Sequence, residues 1–100
     1  PLYNLPNAFT PNGDGQNDLY TPIIPYRFVE RIDMKIYNRW GNLVFQTENP
    51  DINWNGNDYK TNKPLFTGVY YYVCDVYCLT VEGIRKVEKP LSGYIHLFRE

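Results

Sequence analysis

The chain has little of what most chemistry needs. It contains one histidine, one serine, one methionine, one alanine and two cysteines in 100 residues. His96 and Ser92 lie four apart on a run that reads as a strand, roughly 13 Å along the chain, beyond the hydrogen bond that a nucleophile shares with its base. The acids occupy no context that raises a carboxyl pKa for acid–base work, so the chain reads as a non-enzyme. Cys74 and Cys78 fall on one extended run, again roughly 13 Å apart. A disulfide needs its Cα atoms within about 7 Å, so the two read as small half-buried thiols. A zinc site would need further ligands that a single histidine does not supply. Ten Lys and Arg against eleven Asp and Glu give a net charge of −1 without a basic stripe, which argues against nucleic acid. No apolar run approaches the ~20 residues of a membrane-spanning helix, and no charged segment leads into an apolar one at the start.

What is abundant is aromatic and turn-forming. Aromatic residues make up 17% of the chain, ten of them tyrosines, a composition suited to pleated strands. The length predicts one domain over residues 1–100, and the opening Pro1 suggests a piece excised from a larger secreted protein. Pro6, Pro11, Pro22 and Pro25 break the first quarter into short extended pieces expected along a sheet edge. Ile32, Met34 and Ile36 alternate with Asp33 and Lys35, and a hairpin is expected through Asn38 to Asn42, with Gly41 at a positive φ. Gly41→Val is therefore expected to be more damaging than Gly83→Val. "NPDINWNGNDYKTNKP" reads as a long loop anchored by Trp54. Trp40 and Trp54 both read as packing pegs. The run from Val69 to Val81 is too long for an ordinary strand and predicts a bulge or bend inside it. About seven short strands predict an all-β, two-sheet sandwich.

"PNGDGQND", residues 11–18, sets Asn12, Asp14, Gln16 and Asp18 at the alternate spacing of an EF-hand loop. The sixth position, where glycine is needed, is Asn17, and the twelfth, where a bidentate glutamate belongs, is Ile23. Asn12-Gly13 and Asp14-Gly15 are strong tight-turn dipeptides. Two readings stay open: a cluster of structural turns, or a calcium site of another kind that uses those four residues.

Taken together, "PNAFTPNGDGQND", "IYNRWGNLVFQT", "WNGN", "GVYYYVCDV" and "SGYIHLFRE" resemble, in order and spacing, the gliding motility-associated C-terminal domain. That is the type B sorting domain of the type IX secretion system of Bacteroidetes-type bacteria. The departures are Asn55, where an Asp is usual, His96, where a Thr is common, and the two cysteines. The resemblance implies an immunoglobulin-like β-sandwich that acts as a secretion signal. Its partners would be N-terminal cargo in the same chain, the type IX machinery and an outer-membrane protein. The chain would be a monomer, pass through the periplasm, and end at the cell surface or outside the cell. The last strand, Gly93, Tyr94, Ile95, His96, Leu97, Phe98 and Arg99, is the expected recognition element. Ile95 and Leu97 are expected to face the core, with Tyr94, His96 and Arg99 the better candidates for contact. A carbohydrate-binding module or an adhesive spacer is the alternative, since tyrosines and tryptophans on a β-sandwich can stack on sugars.

Overall fold

The computed structural model describes residues 3–11, 13, 18–23 and 26–99. Its strands are β1 (Ala8–Phe9), β2 (Val29–Tyr37), β3 (Leu43–Thr47), β4 (Gly68–Thr80), β5 (Gly83–Lys86) and β6 (Leu91–Leu97). They form one six-stranded sheet in the order β1-β6-β4-β2-β3, with β5 beside the far half of β4. The fold is all-β, as the composition predicts.

Alternation in sequence becomes alternation across the sheet. Ile32, Met34 and Ile36 on β2 are buried, while Asp33 and Lys35 between them reach the other face and pair at 3.0 Å. β2 turns into β3 through Asn38–Asn42. The Asn38 side chain accepts hydrogen bonds from the amides of Trp40 and Asn42 at 3.0 and 2.9 Å, and Gly41 has φ +85. The pairing register then shifts between Ile36 and Tyr37, the bulge expected beside such a loop.

β4 runs for 13 residues. The expected bulge is not within it: the irregularity lies on its partner β2, between Val29 and Arg31. β4 can stay long because its two halves serve different neighbours. Gly68 to Cys74 pair with β6 and Tyr77 to Thr80 with β5. The β4–β5 turn places Gly83 at φ +106, so the expected contrast with Gly41 is absent and both positions favour glycine.

One face of the sheet carries the core: Phe9, Ile32, Met34, Ile36, Tyr70, Cys74, Val76, Cys78, Ile95 and Leu97, joined by Tyr3, Tyr20, Ile52 and Trp54 from irregular chain. These irregular segments form the opposing layer, stitched by single antiparallel bridges between Asn4 and Ile23 and between Tyr20 and Trp54. The two-layer arrangement is compatible with an immunoglobulin-like sandwich, although all named strands belong to one sheet. Trp54 is fully buried, with ring centroids 5.2 Å from Phe9 and 5.8 Å from Phe45 and Tyr70. Its Nε1 donates to the Asn57 carbonyl at 2.9 Å. Tyr20 and Tyr70 donate to the carbonyls of Pro6 and Phe66 at 2.6 and 2.7 Å, and Tyr3 donates to that of Pro50. Each buried ring thus brings an apolar body to the core and a polar tip to a loop carbonyl, which fixes loops that have no ladder of their own.

Candidate functional site: the terminal strand and its clasp

β6 sends its residues alternately to two faces. Ile95 and Leu97 are fully buried, as expected, while Tyr94 and Phe98 are exposed and His96 is half-buried. The outward rings form a ladder: Tyr94 and His96 have centroids 5.5 Å apart at 31°, and His96 and Phe98 lie 5.4 Å apart, edge to face. Across the strand boundary Tyr94 faces Tyr71 and Ser92 faces Val73, and both β4 side chains are exposed. The open face of the sheet therefore bears a contiguous aromatic and aliphatic stripe. Gly93 is small for a local reason: a Cβ there would meet the Tyr72 hydroxyl oxygen at 3.0 Å.

Arg99 behaves differently from its neighbours. Its Nε donates to the Leu65 carbonyl at 2.7 Å, Nη1 to that of Pro11 at 3.3 Å and Nη2 to that of Gly56 at 2.7 Å. Its backbone amide donates to the Thr67 hydroxyl at 2.9 Å. The guanidinium thus faces into the chain and, through three carbonyls, clasps two loops, the β1–β2 and β3–β4 connections, to the end of β6. Gly56 makes room for it. It is buried at φ +84, and a Cβ there would lie 2.8 Å from Nη2. Pro11, Gly56 and Arg99, which belong to three of the phrases behind the family resemblance, meet at this point. The partners lie 88 and 43 residues away, so sequence spacing gave no sign of them.

The remaining candidates separate. Asn12, Asp14 and Gln16 lie outside the described residues. Asp18 Oδ1 accepts from the Gly13 amide, five residues earlier, at 2.8 Å. Cys74 and Cys78 are free and buried on one face of β4. Burial pushes the Cys74 thiol up to about 12 and raises that of Cys78, so both are held as protonated, unreactive thiols. Trp54 is the peg expected. Trp40 is not: it is 71% exposed, because the Asn38–Asn42 loop carries it past the end of the sheet, where Arg39 lies over its ring at 4.5 Å. With Phe66, 88% exposed, it lines an open cavity of about 220 Å³.

The sheet and clasp describe a small β domain whose distinctive chemistry lies in its surface and in the way its end is secured. The chain matches the type IX secretion signal domain family, CHU_C, over residues 3–97, and belongs to it. It is a sorting signal that directs the protein carrying it through the type IX secretion system. A comparison with curated proteins returns no match.

Proposed function

We propose that the type IX machinery reads this signal as a folded unit, through the outward rings of β6. An outer-membrane component makes the contact, and cargo N-terminal to the domain is carried to the cell surface or the medium without catalysis by the domain. The observation that carries this reading is the Tyr94–His96–Phe98 ladder beside Tyr71 and Val73. It is an apolar stripe that the fold does not need for its core, of the kind that marks interaction sites. In this account Arg99 acts indirectly, by holding the strand that displays the rings. The "PNGDGQND" segment serves as a turn cluster with at most weak affinity for calcium.

Truncation before β6 is a poor test, because it also removes Ile95 and Leu97 from the core. The informative variant replaces Tyr94, His96 and Phe98 with serine in a reporter that carries an N-terminal export signal and the whole domain. Retention of this variant in the periplasm, with its melting temperature near that of the parent, supports the reading. Secretion at the parental level removes it. A second reading, sugar binding, rests on Trp40 and Phe66 beside their cavity. It predicts that a soluble polysaccharide perturbs Trp40 fluorescence in the parent and not in Phe66→Ala.

A further inference from the structure

The two edges of β6 are used unequally. One pairs with β4 from Leu91 to Leu97, while the other is covered by β1 only at His96 and Leu97. The amides of His96 and Phe98 point to that outer edge, where they donate to the carbonyls of Asn7 and Phe9 at 2.8 and 3.1 Å. Because backbone direction alternates along a strand, the N–H and C=O groups of Ser92 and Tyr94 point the same way. Among the described residues no strand borders them there.

The other sheet margins are guarded. β3 has its Val44 carbonyl taken by the Tyr59 amide, and β5 carries Arg85 and Lys86, charges of the kind that discourage edge pairing. The Leu91–Tyr94 stretch has no charge. The fold also shows that this edge accepts an extended segment, because β1 is one, docked parallel immediately beyond the open part.

We propose that the outer edge of β6 at Ser92 and Tyr94 is a strand-addition site, filled by an extended segment of the type IX machinery in line with β1. This rests on the reading that the machinery recognises β6, and it specifies the mode of recognition. Main-chain hydrogen bonds supply the attachment, and the Tyr94–His96 rings contact alternate side chains of the incoming strand. The occupant must be extended peptide, because the open groups are backbone donors and acceptors at strand spacing.

Proline at Ser92 removes an outward donor without touching the β4 ladder, a position where edge strands tolerate it. Lysine at Ser92 keeps the donor and adds a guarding charge. The reporter with the whole domain is compared as parent, Ser92→Ala, Ser92→Pro and Ser92→Lys, with deletion of the whole domain as control. The expected result is parental secretion for Ser92→Ala and a fall of about tenfold for the folded Ser92→Pro and Ser92→Lys variants. Parental secretion of those folded variants overturns strand addition, while periplasmic retention of the deletion control leaves the sorting signal standing. Should Ser92→Pro unfold, Ser92→Lys decides together with amide exchange in the parent. Ser92 and Tyr94 must exchange faster than Gly93 and Ile95, and equal protection overturns the proposal. A dimer of this chain that Ser92→Lys dissolves would assign the edge to a second copy and overturn it as well.

Discussion

The Nη2 atom of Arg99 lies 2.7 Å from the carbonyl oxygen of Gly56, in space that exists because residue 56 has no side chain. This single relationship joins the end of the last strand to the middle of the longest loop. A second guanidinium nitrogen reaches Leu65 in the same loop and a third reaches Pro11 between β1 and β2, so the order of two irregular segments depends on one cation. Arg99→Ala is expected to cost about 2–4 kcal/mol, because charge-assisted bonds are lost and three carbonyls lose their donor. Arg99→Lys should restore less than half of that loss, since one ammonium cannot match a planar fork. Urea unfolding of the three proteins checks both values, and equal midpoints for Arg99→Lys and the parent would contradict the clasp.

Glycine substitutions should rank by crowding. Gly56→Ala meets both a positive φ and Arg99 at 2.8 Å, whereas Gly41 and Gly83 have positive φ with open space around them. We expect about 1 kcal/mol for Gly41→Ala and Gly83→Ala, and at least twice that for Gly56→Ala. A Gly56→Ala, Arg99→Ala double-mutant cycle should show strong non-additivity. Additive losses would mean that the two residues act separately.

The two tryptophans should part company. Trp54→Ala is expected to cost about 3–5 kcal/mol, as for a large buried ring, and Trp40→Ala less than about 0.5 kcal/mol. Iodide should quench the fluorescence of Trp40 and leave that of Trp54 almost untouched. Comparable destabilisation by both substitutions would contradict the placement of Trp40.

Much of this was legible in sequence because it depends on neighbours. The alternation of Ile32, Met34 and Ile36, the positive φ of Gly41, the inward Ile95 and Leu97, and the peg at Trp54 follow from local periodicity and turn chemistry. The exposure of Trp40 was not legible, since an aromatic ring in a hairpin loop packs or projects according to the loop's exit angle. Nor was the inward turn of Arg99, which sequence reading had grouped with the outward contacts, because its acceptors are carbonyls of distant loops. Nor was the position of the bulge, which sits on β2 between Val29 and Arg31 and not inside β4: a long strand needs no bulge when its partner supplies one. The family resemblance was legible in the same phrases that the clasp draws together.

Alkaline pH should unfold the domain early. Burial holds the hydroxyls of Tyr3 and Tyr20 well above the ordinary phenol range and the Cys74 thiol at about 12, and the Asp51 hydrogen bond pushes Tyr26 up to about 12. All these shifts are upward, so the folded state keeps protons that the unfolded chain releases from about pH 8.5 to 10. Their contribution to stability is complete below that range and is lost as pH rises from it toward the raised values of the folded state. The melting temperature should decline steadily from pH 9 to 11, less steeply in Tyr20→Phe than in the parent. A flat profile to pH 11 would contradict the buried, protonated state of these groups.

Calcium should matter little. If residues 11–18 are a turn cluster, millimolar calcium and chelator give nearly the same melting temperature, and Asp18→Ala costs about 0.5–1.5 kcal/mol through its lost bond from the Gly13 amide. A rise of several degrees with calcium, abolished by Asp18→Ala, would establish a metal site there instead.

The central claim is that this domain is sufficient to route cargo through the type IX system. Its most direct test is fractionation of a reporter with an N-terminal export signal, with and without the whole domain, in a type IX-competent host and in one whose type IX channel is deleted. The account predicts that the fused reporter reaches the surface or medium only in the competent host, and that the reporter alone stays in the periplasm of both. Export of the unfused reporter, or of the fusion without the channel, would contradict it.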